Sequence, residues 1–278
     1  LIEDCHRRGI PVYLVNARMS EKSARGYRRI GRLTRSALSK LAGIGAQATR
    51  DAERFAALGA NGVCVTGNIK FDRAAPADMM TLGVSLREAF GAQRPVFLAA
   101  STRQGEEALI LDALADMAIP GLLTVIVPRH PQRFDEVVAL ARQRGHQVQR
   151  RSENRPVDTA TRVVIGDSMG EMFAYYAACD VAFVGGSLLA LGGQNLLEAC
   201  SVGRPVIVGP HTFNFEEATR GAIEAGAAIR VANVLELAGA VVQLLADTSR
   251  RAAMAQAGMR FTEVHRGATV KTLELLRW

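Results

Sequence analysis

Along the chain, short apolar runs alternate with longer segments in which apolar positions recur every three or four residues, the patterns of a buried strand and an amphipathic helix. The runs predict strands at 11–17, 44–48, 63–66, 95–100, 122–127, 161–165, 181–184, 205–208 and 227–231, with a weak one at 147–150. The longer pattern predicts helices at 21–41, 50–58, 77–90, 169–178, 215–225, 234–246, 249–258 and 260–276. Two more start at Gln104 and after Pro131, and another at Gln194 and Asn195. Strands that alternate with helices throughout imply α/β architecture with parallel sheets covered on both faces.

The polar, proline-bearing segment 66–76 follows a strand without a helix pattern and reads as a linker. It divides the chain into an N-terminal domain over 1–70 and a second domain over 71–278 that includes the terminal helices. The expected architecture is two facing Rossmann-like units. The opening residues 1–10 look like the second half of a helix feeding a strand, so the first domain is expected to be incomplete and the sequence N-terminally truncated.

Glycine-rich turns concentrate in one stretch, 179–215. Its strand ends in Gly185, Gly186 and Ser187, and Gly192 and Gly193 precede the helix that carries Asn195 and Glu198 on one face. Glycines let backbone approach a ligand and helix starts attract phosphate, so this geometry suits a nucleotide, with Glu198 placed to accept hydrogen bonds from a ribose diol. The competing reading makes Glu198 a first-turn acid that complements the helix dipole.

Composition narrows the partners. With 278 residues and 49% hydrophobic content there is enough chain for large cores. A formal charge of +7 favours phosphates, anionic membrane surfaces or nucleic acid. Nucleic acid fits least, because the basic residues are dispersed and only Tyr27 and Phe71 lie near basic clusters to offer stacking. Cys5, Cys64, Cys179 and Cys200 show no CxxC spacing, and the last three sit in apolar runs, which predicts buried, reduced thiols and no metal site. No apolar run reaches about 20 residues, so no transmembrane helix is predicted.

Several charged residues admit two readings. The basic helix at 21–41 suits either an anionic membrane surface or plain solvation. Lys70 at the domain seam either meets a ligand or is a linker charge. Arg129, at the end of a strand, has the donor fork that binds phosphate, and His130 is either a base or a hydrogen-bonding loop residue. Glu106 and Glu107 read as first-turn acids of a helix capped by Ser101 and Thr102.

The strings NARMSEKSARGYRR (16–29), VTGNIKFD (65–72), LAASTRQGEE (98–107), VPRHPQRF (127–134), IGDSMGEMFAYYAACDVAFVGGS (165–187) and FVGGSLLALGGQNLLEACSVGRPVIVGPHTFNF (183–215) occur in this order. Together they closely resemble the 3-deoxy-D-manno-octulosonic acid (Kdo) transferases of lipopolysaccharide synthesis. The resemblance implies a two-domain GT-B glycosyltransferase and inverting transfer from CMP-Kdo to a lipid A precursor, lipid IVA, with no metal and no cofactor. It places Pro128 and Arg129, the segment Met169, Gly170 and Glu171, and the segment Asn195, Leu196, Leu197 and Glu198 at the CMP moiety. Lys70 matches a lysine that stabilises the transition state. Gln194 stands where the family has histidine, and the family's general-base glutamate and a further acidic residue would both precede Leu1. By the same resemblance the protein works at the cytoplasmic face of the bacterial inner membrane, on an anionic surface, held through the segment before Leu1. Two other classes remain open, a UDP-sugar epimerase of the same fold and a non-catalytic nucleotide-binding fragment.

Overall fold

The computed structural model describes residues 1–114, 117 and 119–276. The chain divides into two compact units, one formed by Leu1–Arg73 with Glu263–Trp278 and the other by Ala74–Thr262. The fold class is α/β with parallel sheets, as the alternation of patterns predicts.

The first unit holds three parallel strands in the order β1 (Tyr13–Ala17), β2 (Gly43–Ala46) and β3 (Val63–Val65). Its core joins Ala17, Met19, Ala24, Leu41, Ile44, Phe55 and Leu58. The buried Asp51 accepts the Met19 N–H at 2.8 Å, which anchors the turn after β1. The basic helix expected over 21–41 is two helices, Glu21–Arg29 and Gly31–Leu38. They break at Ile30, where the Thr34 hydroxyl donates to the Tyr27 carbonyl at 3.0 Å and the following residue is a poor helix former, Gly31.

The stretch 263–278, expected in the second domain, belongs to the first unit. Asp72 explains this. Its carboxylate accepts the N–H groups of Gly267 at 2.7 Å, Ala268 at 3.3 Å and Thr269, capping the helix Ala268–Leu275 from a distant part of the chain. Burial raises the Asp72 carboxyl, but these hydrogen bonds outweigh it and hold the group below the usual aspartate range. Phe71 also stacks on His265, with ring centroids 4.9 Å apart.

The second unit is built on seven parallel strands: β4 (Val96–Thr102), β5 (Leu123–Pro128), β6 (Val148–Arg150), β7 (Val163–Ile165), β8 (Val181–Val184), β9 (Val206–Val208) and β10 (Ala228–Arg230). They lie in the order β10-β9-β8-β4-β5-β7-β6. Phe97, Leu98, Ala99, Val181, Ala182 and Phe183 are fully buried in the middle of the sheet, as near-continuous apolar strands covered on both faces must be. The helix predicted to end at Gly258 runs on as Thr248–Val264; Gly258 is not a stop but a contact point, lying against the backbone of Cys200, where a Cβ would come within 3.1 Å of the carbonyl. Among the described residues no helix is long and apolar enough to cross a membrane.

Cys179 and Cys200 are buried as expected, and burial pushes their thiols up to about 12. Cys64 is exposed instead, because β3 is an edge strand whose outer residues face solvent. Iodoacetamide at about pH 8 is therefore expected to label Cys64 in the native protein and to reach Cys179 and Cys200 only after denaturation. Peptide mass spectrometry reads the difference, and native labelling of Cys179 or Cys200 would contradict their packing.

Candidate functional site

All seven strands of the second unit are parallel, so the loops after β4, β5, β7, β8 and β9 leave the sheet at one edge. The strand order changes direction between β4 and β8, the place where open α/β sheets form a crevice.

At the end of β5, Pro128 is the last strand residue and is buried, while Arg129 turns outward. The Arg129 N–H donates to the Thr102 carbonyl at 2.9 Å, fixing this loop to the end of β4. Its guanidinium is exposed and makes no ion pair among the described residues. Four residues on, Arg133 reaches the fully buried Glu107 with two bonds of 2.6 and 3.2 Å.

The neighbouring loop after β7 carries Met169, Gly170 and Glu171. The helix expected from Met169 begins at Met172. Gly170 adopts φ 83°, outside the helical region, and the Ser168 hydroxyl donates to Glu171 at 2.7 Å, closing the turn locally. Nothing lies within 4 Å of the position a Gly170 Cβ would take, and Met169 is largely exposed, so this backbone is open to a ligand. Glu171 also meets Arg151 at 3.3 Å.

After β8, the helix expected at Gln194 starts only at Leu197, since Gly192 and Gly193 hold φ values of 93° and 75°. Asn195 accepts the Leu197 N–H at 3.2 Å and donates from its amide to Glu198 at 3.3 Å. Leu196 and Leu197 point into the core, so within this segment Asn195 and Glu198 carry the polar chemistry. The helix Met172–Ala178 packs against Leu197–Ser201, bringing the Met169–Glu171 and Asn195–Glu198 segments to one side of the sheet. Burial first, and then the Glu198 carboxylate, push the Tyr176 hydroxyl well above its usual range.

Two residues read from sequence as helix-dipole acids prove to be the fasteners of this edge. The fully buried Glu106 accepts four backbone N–H groups: Arg103 at 2.9 Å and Gly186 at 2.6 Å on one oxygen, Ser187 at 3.0 Å and Leu188 at 2.9 Å on the other. Ser187 passes the linkage on, its hydroxyl accepting the Gly209 N–H at 2.8 Å and so tying in the loop after β9. Ser101 and Thr102 do not cap the helix Glu106–Ala113, because β4 continues through Thr102 and the N-cap position falls on Gly105, which has no side chain to accept a hydrogen bond. The consecutive acids just past a strand were the visible signal, but their partners lie far along the chain.

Lys70 lies in the first unit, in the turn Ile69–Asp72 that Asn68 caps by accepting the Lys70 N–H at 3.0 Å. Partial loss of hydration, and then Arg18, hold its ammonium below the usual lysine range. His130 is half-buried at the foot of the Pro131–Arg133 turn. Among the described residues no three His, Cys, Asp or Glu side chains gather as metal ligands.

The site can therefore offer an exposed guanidinium and open backbone to a phosphate, and an amide with a carboxylate to a diol. Comparison with known proteins gives the family. Residues 1–73 match the family model described as 3-deoxy-D-manno-octulosonic-acid transferase, and residues 109–261 match glycosyl transferases group 1. The chain is 44% identical to a 3-deoxy-D-manno-octulosonic acid transferase of Bordetella pertussis, over 99% of this chain and 65% of that protein. It is 38% identical to the same-named protein of Haemophilus influenzae, over 100% of this chain and 66% of that one. The chain thus spans just under two thirds of the length of these relatives. Among solved structures, the C-terminal CMP-Kdo binding domain of WaaA from Acinetobacter baumannii superposes with a TM-score of 0.64 at 31% identity, covering 67% of this chain and 98% of that domain. HepE from Anabaena, solved with UDP and glucose, gives a TM-score of 0.59 at 17% identity over 99% of this chain and 73% of its own. A UDP-GlcNAc 2-epimerase from Neisseria meningitidis gives 0.56 at 17%, over 98% and 72%, a likeness of fold alone.

Proposed function

The chain belongs to the 3-deoxy-D-manno-octulosonic acid transferase family of the glycosyltransferases, and from that premise we propose that it transfers Kdo from CMP-Kdo to a lipid A precursor, lipid IVA, with inversion and without a metal or cofactor. The observation that carries this reading is the exposed guanidinium of Arg129, which makes no ion pair among the described residues, and the open backbone at Gly170, on the loops of adjacent strands. CMP leaves as a phosphate monoester, and positive charge and backbone N–H groups aimed at that phosphate lower the barrier to its departure. Arg129 supplies the charge at the nucleotide, with Pro128 fixing its direction. Lys70 supplies charge to the transition state. Asn195 and Glu198 take the ribose, and Met169, Gly170 and Glu171 line the nucleotide.

The first unit supports a location on the cytoplasmic face of the bacterial inner membrane. Its helices Glu21–Arg29 and Gly31–Leu38 expose Tyr27, Ile30 and Leu33 among Arg25, Arg28, Arg32 and Arg35. An open cavity of about 430 Å³ beside them is lined by Leu14, Met19, Tyr27, Leu33 and Phe55. Apolar side chains set among arginines suit an anionic leaflet.

Calorimetric titration with CMP and with UDP tests the donor. CMP is expected to bind in preference to UDP, and Glu198→Ala to weaken CMP about tenfold through loss of the ribose hydrogen bonds. A preference for UDP, or no CMP binding by folded protein, would sink the proposal.

A further inference from the structure

A donor built as proposed carries two anionic groups, the phosphate and the carboxylate of an acidic sugar, and the inference here rests on that reading. Arg129 lies at the phosphate. A second arginine, Arg103, leaves the end of β4, the strand next to β5, and is half-buried in the crevice between the β4 and β8 loops. We propose that Arg103, with the side-chain amide of Gln194 beside the same glycine, Gly186, binds the carboxylate of the donor sugar and so selects an acidic sugar.

The placement is built by several independent contacts. Gly186 holds φ 69° and has no side chain, and a Cβ there would lie 3.3 Å from the Gln194 amide nitrogen and 3.5 Å from the Arg103 Cγ. The two side chains therefore both approach one bare stretch of backbone. A single oxygen of the buried Glu106 accepts both the Arg103 backbone N–H at 2.9 Å and the Gly186 N–H at 2.6 Å, which ties the backbone that carries the arginine to that of Gly186. Gly185 permits the close approach of the two loops, since a Cβ would meet the Ser101 carbonyl oxygen at 2.7 Å. Gly193 donates its N–H to the Gly186 carbonyl at 2.7 Å and so brings Gln194 over the loop.

The charges nearby leave Arg103 available. Glu106 spends both oxygens on backbone N–H groups, and Glu107 spends both on Arg133. Among the described residues the Arg103 guanidinium makes no hydrogen bond or ion pair. A fork of donors with an amide beside it matches a planar carboxylate in two bonds, which a lone phosphate does not require. The Arg129 N–H bond to the Thr102 carbonyl sets the spacing between the two arginines through one rigid strand end.

The test is calorimetric titration of the chain with CMP and with freshly made CMP-Kdo, on the wild type, Arg103→Met and Arg103→Lys. Arg103→Met is expected to weaken CMP-Kdo by about tenfold to a hundredfold while leaving CMP within about twofold, and Arg103→Lys to recover part of the loss. Retained CMP binding also reports that each variant is folded. Equal weakening of both ligands would assign Arg103 to the phosphate and overturn the proposal, as would no change in either. A wild-type chain that binds no CMP would overturn the donor reading first, and this inference with it.

Discussion

Glu106→Ala is expected to lower the free energy of unfolding by about 3 kcal/mol, measured by urea denaturation. The carboxylate serves the N–H groups of Arg103, Gly186, Ser187 and Leu188, all at a buried site. Removing it leaves several donors without a partner, at about 1–3 kcal/mol for each that water cannot reach, and partial relaxation keeps the total below the sum. Amide exchange at Gly186, Ser187 and Leu188 should quicken in the variant, because the turn loses what fixes it. A loss under about 1 kcal/mol would mean that the loop is held by other contacts. Burial pushes the Glu106 carboxyl above its usual range, against the pull of the N–H groups of Gly186, Arg103 and Leu188. The folded state then holds that proton more tightly than the unfolded chain. This contribution to stability is full below the unfolded value and falls as pH rises through the raised one, and Glu106→Gln removes that slope.

Arg133→Ala is expected to cost more, about 3–5 kcal/mol, because it strands a charge in the interior. Glu107 has no exposed surface and both its oxygens bond to the Arg133 guanidinium, at 2.6 and 3.2 Å. The partly exposed Glu136 also pairs with Arg133, at 3.1 Å, but water can take over there. Arg133→Lys should restore little, since a point charge does not reproduce the two parallel bonds. The double variant Glu107→Met, Arg133→Met should recover most of the stability, because the cost lies in the unpaired ion and not in the loss of an attraction. Thermal melts of the three variants decide it. A double variant as unstable as Arg133→Ala would refute the account. The same pair anchors the loop that presents Arg129, so Arg133→Ala should also weaken CMP.

These two carboxylates show where reading the sequence stops. Glu106 and Glu107 stand side by side at a helix start, which licenses a dipole role and nothing more. The turn that Glu106 holds begins 80 residues later, and the arginine that Glu107 holds is 26 residues away. No local pattern encodes either distance. Gln194 and Asn195 likewise look like the start of a helix, yet the helix begins at Leu197 after two glycines at positive φ, and Leu196 and Leu197 are core residues.

What the sequence determined by itself was the order of strands and helices, their parallel pairing class, and the loop segments around Arg129, Met169 and Asn195 that we propose meet the nucleotide. Each of these is written in periodicity or in residues close together along the chain, where propensity and turn chemistry act directly. The tertiary structure decided the rest. It joined 263–278 to the first unit through Asp72, turned Cys64 outward on an edge strand, and brought Arg103 and Gln194 to Gly186. Those outcomes depend on which buried donors and acceptors find each other once the sheets are assembled, and a buried polar group must take its partner from wherever in the chain the fold supplies one.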